Sequence, residues 1–149
     1  MPSTSHVIDD VVPYLIVADA PAAIAFYVAG LGAVEDHRLT MPDGKVGHAE
    51  LRLGDRRLYV ADEFPSEGQI APRPDSRSPV GLVVHVDDVD AAVQQARDAG
   101  ATIDRDVVEE VFGARSAWLN DPFGHRWNLQ QQVRPMTPAE MQAAINEQA

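Results

Sequence analysis

Residues 11–33, VVPYLIVADAPAAIAFYVAGLGA, and residues 80–101, VGLVVHVDDVDAAVQQARDAGA, carry one pattern twice. Each opens with an apolar run of strand length. Each then places an aspartate, Asp19 or Asp88, where a helix N-cap belongs, because its carboxylate can accept the free N–H groups of the first turn. Apolar residues follow at helical spacing: Ile24, Tyr27, Val28 and Leu31 in the first copy, Val89, Ala92, Val93 and Ala96 in the second. Gly30 and Gly32 end the first helix and Gly100 the second. Val17 and Asp19 align with Val86 and Asp88 at an offset of 69 residues, Ala22-Ala23-Ile24 aligns with Ala91-Ala92-Val93, and Gly32-Ala33 meets Gly100-Ala101 after one residue is lost. Self-similarity of this kind points to duplication of one supersecondary unit.

The flanks complete the unit. After the first helix, residues 34–41 read as a strand and Pro42-Asp43-Gly44 as a turn. Residues 46–53 alternate cleanly, Gly54-Asp55 turns, and 57–61 form another strand. After the second helix, strand signals lie at 102–110, and strands 115–119 and 126–131 flank the turn Asp121-Pro122-Phe123-Gly124. The expected fold class is α+β, two tandem βαβββ half-domains at 10–62 and 79–132. Residues 1–9 are expected to be disordered or extended. Residues 63–78 hold Pro65, Gly68, Pro72 and Pro74 with little apolar content, and read as a linker or mobile loop. Thr137-Pro138-Ala139-Glu140 is a capping box that starts a tail helix within 133–149. Its stripe of Met141, Ala144 and Ile145 is expected to dock on the domain.

Composition narrows the function. The 149 residues are 45% hydrophobic, enough for one domain with a core. A formal net charge of −11 opposes binding to phosphate backbones or anionic membranes. No apolar run approaches a membrane span, and the first residues have no secretion-signal pattern, so the cytoplasm is the expected compartment. The chain has no cysteine, which removes thiol nucleophiles and thiolate metal sites. There is no phosphate-binding glycine loop and no G-x-S-x-G elbow.

The segments PYLIVADAPAAIAFYVAGLGA (13–33), HAELRLGDRRLYVADE (48–63), HVDDVDAAVQQARDAGA (85–101) and DPFGHRW (121–127) resemble their counterparts in the vicinal oxygen chelate superfamily. That superfamily holds glyoxalase I, fosfomycin-modifying enzymes, extradiol dioxygenases and bleomycin-binding resistance proteins. The combination is most similar to its PhnB-like, glyoxalase/bleomycin-resistance group. The resemblance implies curved mixed sheets around a small-molecule cavity, and a homodimer in which half-domains complete each other's cavities. It also implies four metal-ligand positions, on strands one, four, five and eight. They fall on Val12, Tyr59, Gly81 and Asn128. None is an ordinary ligand for a transition metal, so the family's usual metal site is expected to be absent, with no cofactor required.

The resemblance also implies that the strand face turned away from the helices lines the cavity. On the third strand Ala49, Leu51 and Leu53 share one face, so His48, Glu50 and Arg52 take the other. They could act as acid and base or bind a polar ligand, or Glu50 and Arg52 could simply neutralise each other. His85 is expected on the cavity face too, either as a structural histidine or as part of a relocated metal site with His48 and Glu50. Tyr14, Tyr59 and Trp118 would give an aromatic wall, or would fill the cavity as core. Ser116, Arg126 and Asn128 would supply polar contacts, while Trp127 packs on the helix side. His37 and His125 are expected to be exposed, and His6 to lie in the disordered N-terminus; none is given a role.

Three functions compete. The first is a binding protein with a metal-free cavity for a small hydrophobic or aromatic ligand. The second is a lyase, isomerase or hydrolase on a small oxygenated substrate, using His48, Glu50 and His85. The third is a structural or regulatory dimer without a ligand.

Overall fold

Asp19 and Asp88 cap the two helices as their positions imply. Each carboxylate accepts an N–H three residues on, from Ala22 and from Ala91, at 3.1 Å. A second pair of anchors repeats at the same offset of 69. Buried Asp62 accepts the N–H of Ala20 and of Val46, both at 2.7 Å, and Gln131 accepts that of Val89 at 3.0 Å. Each helix start is thereby tied to the last strand of its own half.

The structure is a computed structural model that describes residues 5–73 and 75–148. Residues 1–4 of the N-terminal segment, Pro74 of the linker and residue 149 lie outside the described residues. The order is β1 (Tyr14–Val17), α1 (Ala20–Leu31), β2 (Val34–Thr40), β3 (Val46–Leu53), β4 (Arg56–Asp62), β5 (Gly81–His85), α2 (Val89–Ala99), β6 (Thr102–Glu109), β7 (Ala114–Asn120), β8 (Arg126–Gln132) and α3 (Pro138–Glu147). The strands form two four-stranded mixed sheets with one topology, β1-β4-β3-β2 and β5-β8-β7-β6. The first pair in each is parallel and the others antiparallel. This is the expected pair of βαβββ units. Neither sheet closes on itself, so each cavity-side face is open rather than wrapped into a barrel.

The helices cover one face of each sheet. Leu15, Val17, Ala49, Leu51, Leu58 and Val60 from the first sheet, and Ala117, Leu119, Trp127 and Leu129 from the second, are buried beneath them. Gly30 does not end α1, which runs on to Leu31 with Gly32 as its left-handed cap. Gly30 instead permits α1 and α2 to approach: a Cβ there would lie 3.0 Å from that of Ala99.

One buried carboxylate joins the halves. Asp121 Oδ1 accepts the N–H groups of Phe123 and His125, at 2.8 and 3.0 Å, which shapes the turn before β8. Its Oδ2 accepts the Tyr27 hydroxyl of α1 at 2.6 Å and the Trp127 indole N–H at 3.0 Å. Burial, then the Asp121 charge, holds the Tyr27 phenol far above its ordinary range. His125 is half-buried rather than exposed, because its Nε2 lies 2.9 Å from the Ile16 carbonyl and fastens the same turn to β1.

The linker touches both halves. Its Phe64 packs under the Lys45 ammonium, Pro72 abuts Gly124, and Arg77 pairs with Asp104 at 2.6 Å. The tail helix has the expected capping box, with Thr137 and Glu140 bonded reciprocally. It does not dock, however. Among the described residues it packs against no other helix or strand and none of it is buried, since its short stripe has few large side chains to bury. No described helix is long and apolar enough to cross a membrane.

Asp121→Ala leaves two side-chain donors and two backbone donors without their acceptor. It is expected to cost about 3–5 kcal/mol, and Tyr27→Phe about 1–2 kcal/mol, in urea denaturation.

Candidate functional site

Alternation on β3 sorts its side chains. Ala49 and Leu51 are fully buried toward α1, and His48, Glu50 and Arg52 are half-buried on the opposite, open face. Strand register then lines up a row across the sheet. Tyr14 of β1 pairs with Tyr59 of β4, Tyr59 with Glu50 of β3, and Glu50 with His37 of β2. Residues directly opposite share a face, so all four side chains meet on the open side.

The side chains are in contact. Tyr14 Oη lies 2.8 Å from His48 Nδ1. The rings of Tyr14, Tyr59 and His48 make three mutual edge contacts with centroids 4.9–5.6 Å apart. Burial, and then the neighbouring Tyr59, raises the Tyr14 phenol above its ordinary value. Tyr14 is nevertheless 44% exposed, so the cluster is a wall and not a plug. Glu50 Oε2 sits 3.5 Å from Nε2 of both His48 and His37.

His37 has no visible signal in the sequence because a β-bulge places it. Glu35 pairs with Leu51, but His37 pairs with Glu50, so Asp36 is an extra residue in β2. Without the bulge His37 would oppose Ala49 on the helix side. Arg52 Nε holds both Asp36 oxygens, at 2.9 and 3.0 Å. Arg52 therefore braces the bulge and does not neutralise Glu50. The second half repeats the device. Arg105 pairs with Trp118 after an extra residue, Asp104, which Asn120 holds at 2.7 Å.

The second sheet uses its equivalent face differently. Trp118 lies on Gly81, where an added Cβ would come within 2.7 Å of the indole, and the Arg126 guanidinium stacks on Trp118 at 4.1 Å. Ser116 is buried in a closed network, bonded to Glu110 at 2.9 Å and to Arg105 at 3.1 Å. Asn128 is buried with no hydrogen-bond partner for Oδ1 among the described residues, as is Arg126 Nε. The residues expected to line one cavity thus fall into two sets: Tyr14, His48, Glu50, Arg52 and Tyr59 on the first sheet, Ser116, Trp118, Arg126 and Asn128 on the second. His85 takes the open face of the second sheet, in register with Gln130 and Ser116, and does not join the His48–Glu50 cluster. It lies on β5 and lines a separate groove of about 780 Å³ with Arg57, Val83 and Trp127, and no described contact joins it to His48 or Glu50.

The sequence model of the Glyoxalase/Bleomycin resistance protein/Dioxygenase superfamily matches residues 5–129. The chain belongs to this superfamily. An uncharacterized protein from Mycobacterium bovis is 40% identical over 139 residues, 91% of each chain. Among solved structures, a gene product from Arabidopsis thaliana is 28% identical with a TM-score of 0.66, over 83% of this chain and 98% of its own. TioX from Micromonospora sp. ML1 matches at 24% identity and 0.66, over 82% and 97%. The fosfomycin resistance protein FosX from Listeria monocytogenes, solved with Mn(II) and sulfate, matches at 14% and 0.65, over 90% and 98%. These last two likenesses concern the fold.

A metal at the superfamily's four corners does not fit this chain. Val12 and Gly81 have no side-chain donor atom, and the Gly81 corner lies beneath the Trp118 ring. Tyr59 is engaged in ring contacts, and a neutral Asn128 amide oxygen is a weak ligand for such ions. Gly81→Ala is expected to push Trp118 off its seat, red-shifting its fluorescence and costing about 1–3 kcal/mol, with the buried Trp127 signal unchanged.

Proposed function

We propose that this protein binds a small hydrophobic or aromatic molecule on the open face of its first sheet, with no metal at the superfamily's four corner positions. The carrying observation is the ring cluster of Tyr14, Tyr59 and His48, packed edge to edge yet left uncovered on the face that the fold devotes to its cavity. Three preset rings offer apolar area with little ordering cost, and their polar tips can orient a ligand. This is the mode of the bleomycin-binding side of the superfamily, where the PhnB-like resemblance also lies. Each sheet face is open in one chain, so a homodimer laying the first sheet of one copy against the second sheet of its partner would enclose the ligand. Light scattering should then give twice the chain mass, and a monomer would contradict the enclosure.

The neutral probe N-phenyl-1-naphthylamine, and bleomycin itself, test the site by titration. At least one is expected to bind saturably. Tyr14→Ala and Tyr59→Ala should weaken that binding about tenfold each, the equivalent of about 1.4 kcal/mol. Binding that survives both substitutions would place the ligand elsewhere.

One observation favours a second reading, acid–base catalysis on a small oxygenated substrate. The Tyr14–His48 hydrogen bond orients an imidazole whose far nitrogen faces Glu50. Full turnover in both His48→Ala and Glu50→Ala would exclude it.

A further inference from the structure

We infer that His37, His48 and Glu50 form a binding site for a divalent first-row transition ion of the zinc class, at a place distinct from the superfamily's corners. The inference goes beyond the ligand-binding reading and stands independently of it.

Two imidazoles and one carboxylate converge here from adjacent strands, with donor atoms all within 4.8 Å of one another. Glu50 Oε2 is 3.5 Å from each Nε2. Donors around a tetrahedral zinc ion at ordinary bond lengths are separated by about 3.3 Å. The two carboxylate–imidazole distances are within a few tenths of an ångström of that spacing, and the two imidazoles lie within 4.8 Å of each other, close enough for side-chain rotation to bring all three donors onto one ion. Both distances fall within ion-pair range if the histidines are protonated, but the hydrogen bonds of a closed ion-pair network are missing. At 3.5 Å neither histidine makes a hydrogen bond to Glu50, and the carboxylate accepts none from any described residue.

The surroundings prepare the donors. The Tyr14 hydroxyl at His48 Nδ1 can accept that proton, which leaves the Nε2 lone pair aimed at Glu50 and His37. The Asp36 bulge turns His37 onto the open face, and Arg52 holds the bulge. His48 and Glu50 are half-buried, each 26% exposed, and His37 is exposed at 48%, so water or a ligand could complete the coordination shell. Two nitrogens and one oxygen, with no thiolate, suit zinc, cobalt or nickel better than magnesium or calcium.

Chelator-treated full-length protein, free of organic ligand, is titrated with Zn²⁺ by calorimetry and with Co²⁺ by visible absorption. One ion per chain is expected, with a visible band for bound cobalt. His37→Ala, His48→Ala and Glu50→Gln should each weaken Zn²⁺ binding at least about tenfold. Tyr14→Phe should weaken it within the range of about 10- to 100-fold and keep the stoichiometry, as expected of a positioning residue. His85→Ala should bind as the parent does. These side chains are half-exposed, so the variants should keep the parent's circular dichroism and melting curve. Absence of binding overturns the inference. So does Zn²⁺ binding that His37→Ala or Glu50→Gln retains at parental strength, because the ion is then held elsewhere. Neither result bears on the aromatic probe titration, which contains no metal.

Discussion

The Asp121 carboxylate ties α1, which backs the sheet that carries the site, to the second half of the molecule. It sits at the turn before β8, yet it holds α1 through Tyr27 and β8 through Trp127. A carboxylate buried with four donors is stable only while all four remain in place. Losing any one donor would leave part of a buried charge unpaired, so this carboxylate favours one relative position of the two half-domains. The close helix contact at Gly30 and Ala99 and the His125 bond to β1 follow from the same alignment.

Much of this was legible in the residues. The caps at Asp19 and Asp88, the strict alternation from Val46 to Leu53 and the turn at Asp121-Pro122-Phe123-Gly124 each carry a local physical signal. The helix-side burial of Trp127 follows from the same alternation. The second-half strands are less periodic, and β6 in particular is interrupted by two register shifts, one on each side of Arg105. The tail helix shows the limit of local rules. Its capping box specifies that a helix starts at Pro138, but capping contributes nothing to docking, which needs apolar area that Met141, Ala144 and Ile145 do not supply.

The site was legible only in part, for a definable reason. His48 and Glu50 fall on the open face by simple alternation, Tyr59 by standing at a corner position and Tyr14 by its place two residues from another. His37 does not, because one inserted residue reverses the facing of everything after it on an edge strand. Nothing in Glu35-Asp36-His37 marks a bulge by composition. The available clue was non-local: Asp36 and Asp104 occupy matching places in the two halves at an offset of 68, each followed by a long basic or imidazole side chain. The separation of His85 from His48 had no such clue, since facing within a sheet says nothing about which sheet lies opposite.

The twinned bulge has a consequence for how such a protein can change. The backbone irregularity, its aspartate and the bracing residue are the same device in both halves, while the side chains it presents differ completely: His37 beside Glu50 in one, Arg105 beside Trp118 in the other. Form and cargo are thus separately encoded. A half-domain can exchange the groups it displays without renegotiating strand register or core packing. One frame thus displays two unlike sets of side chains on a single chain.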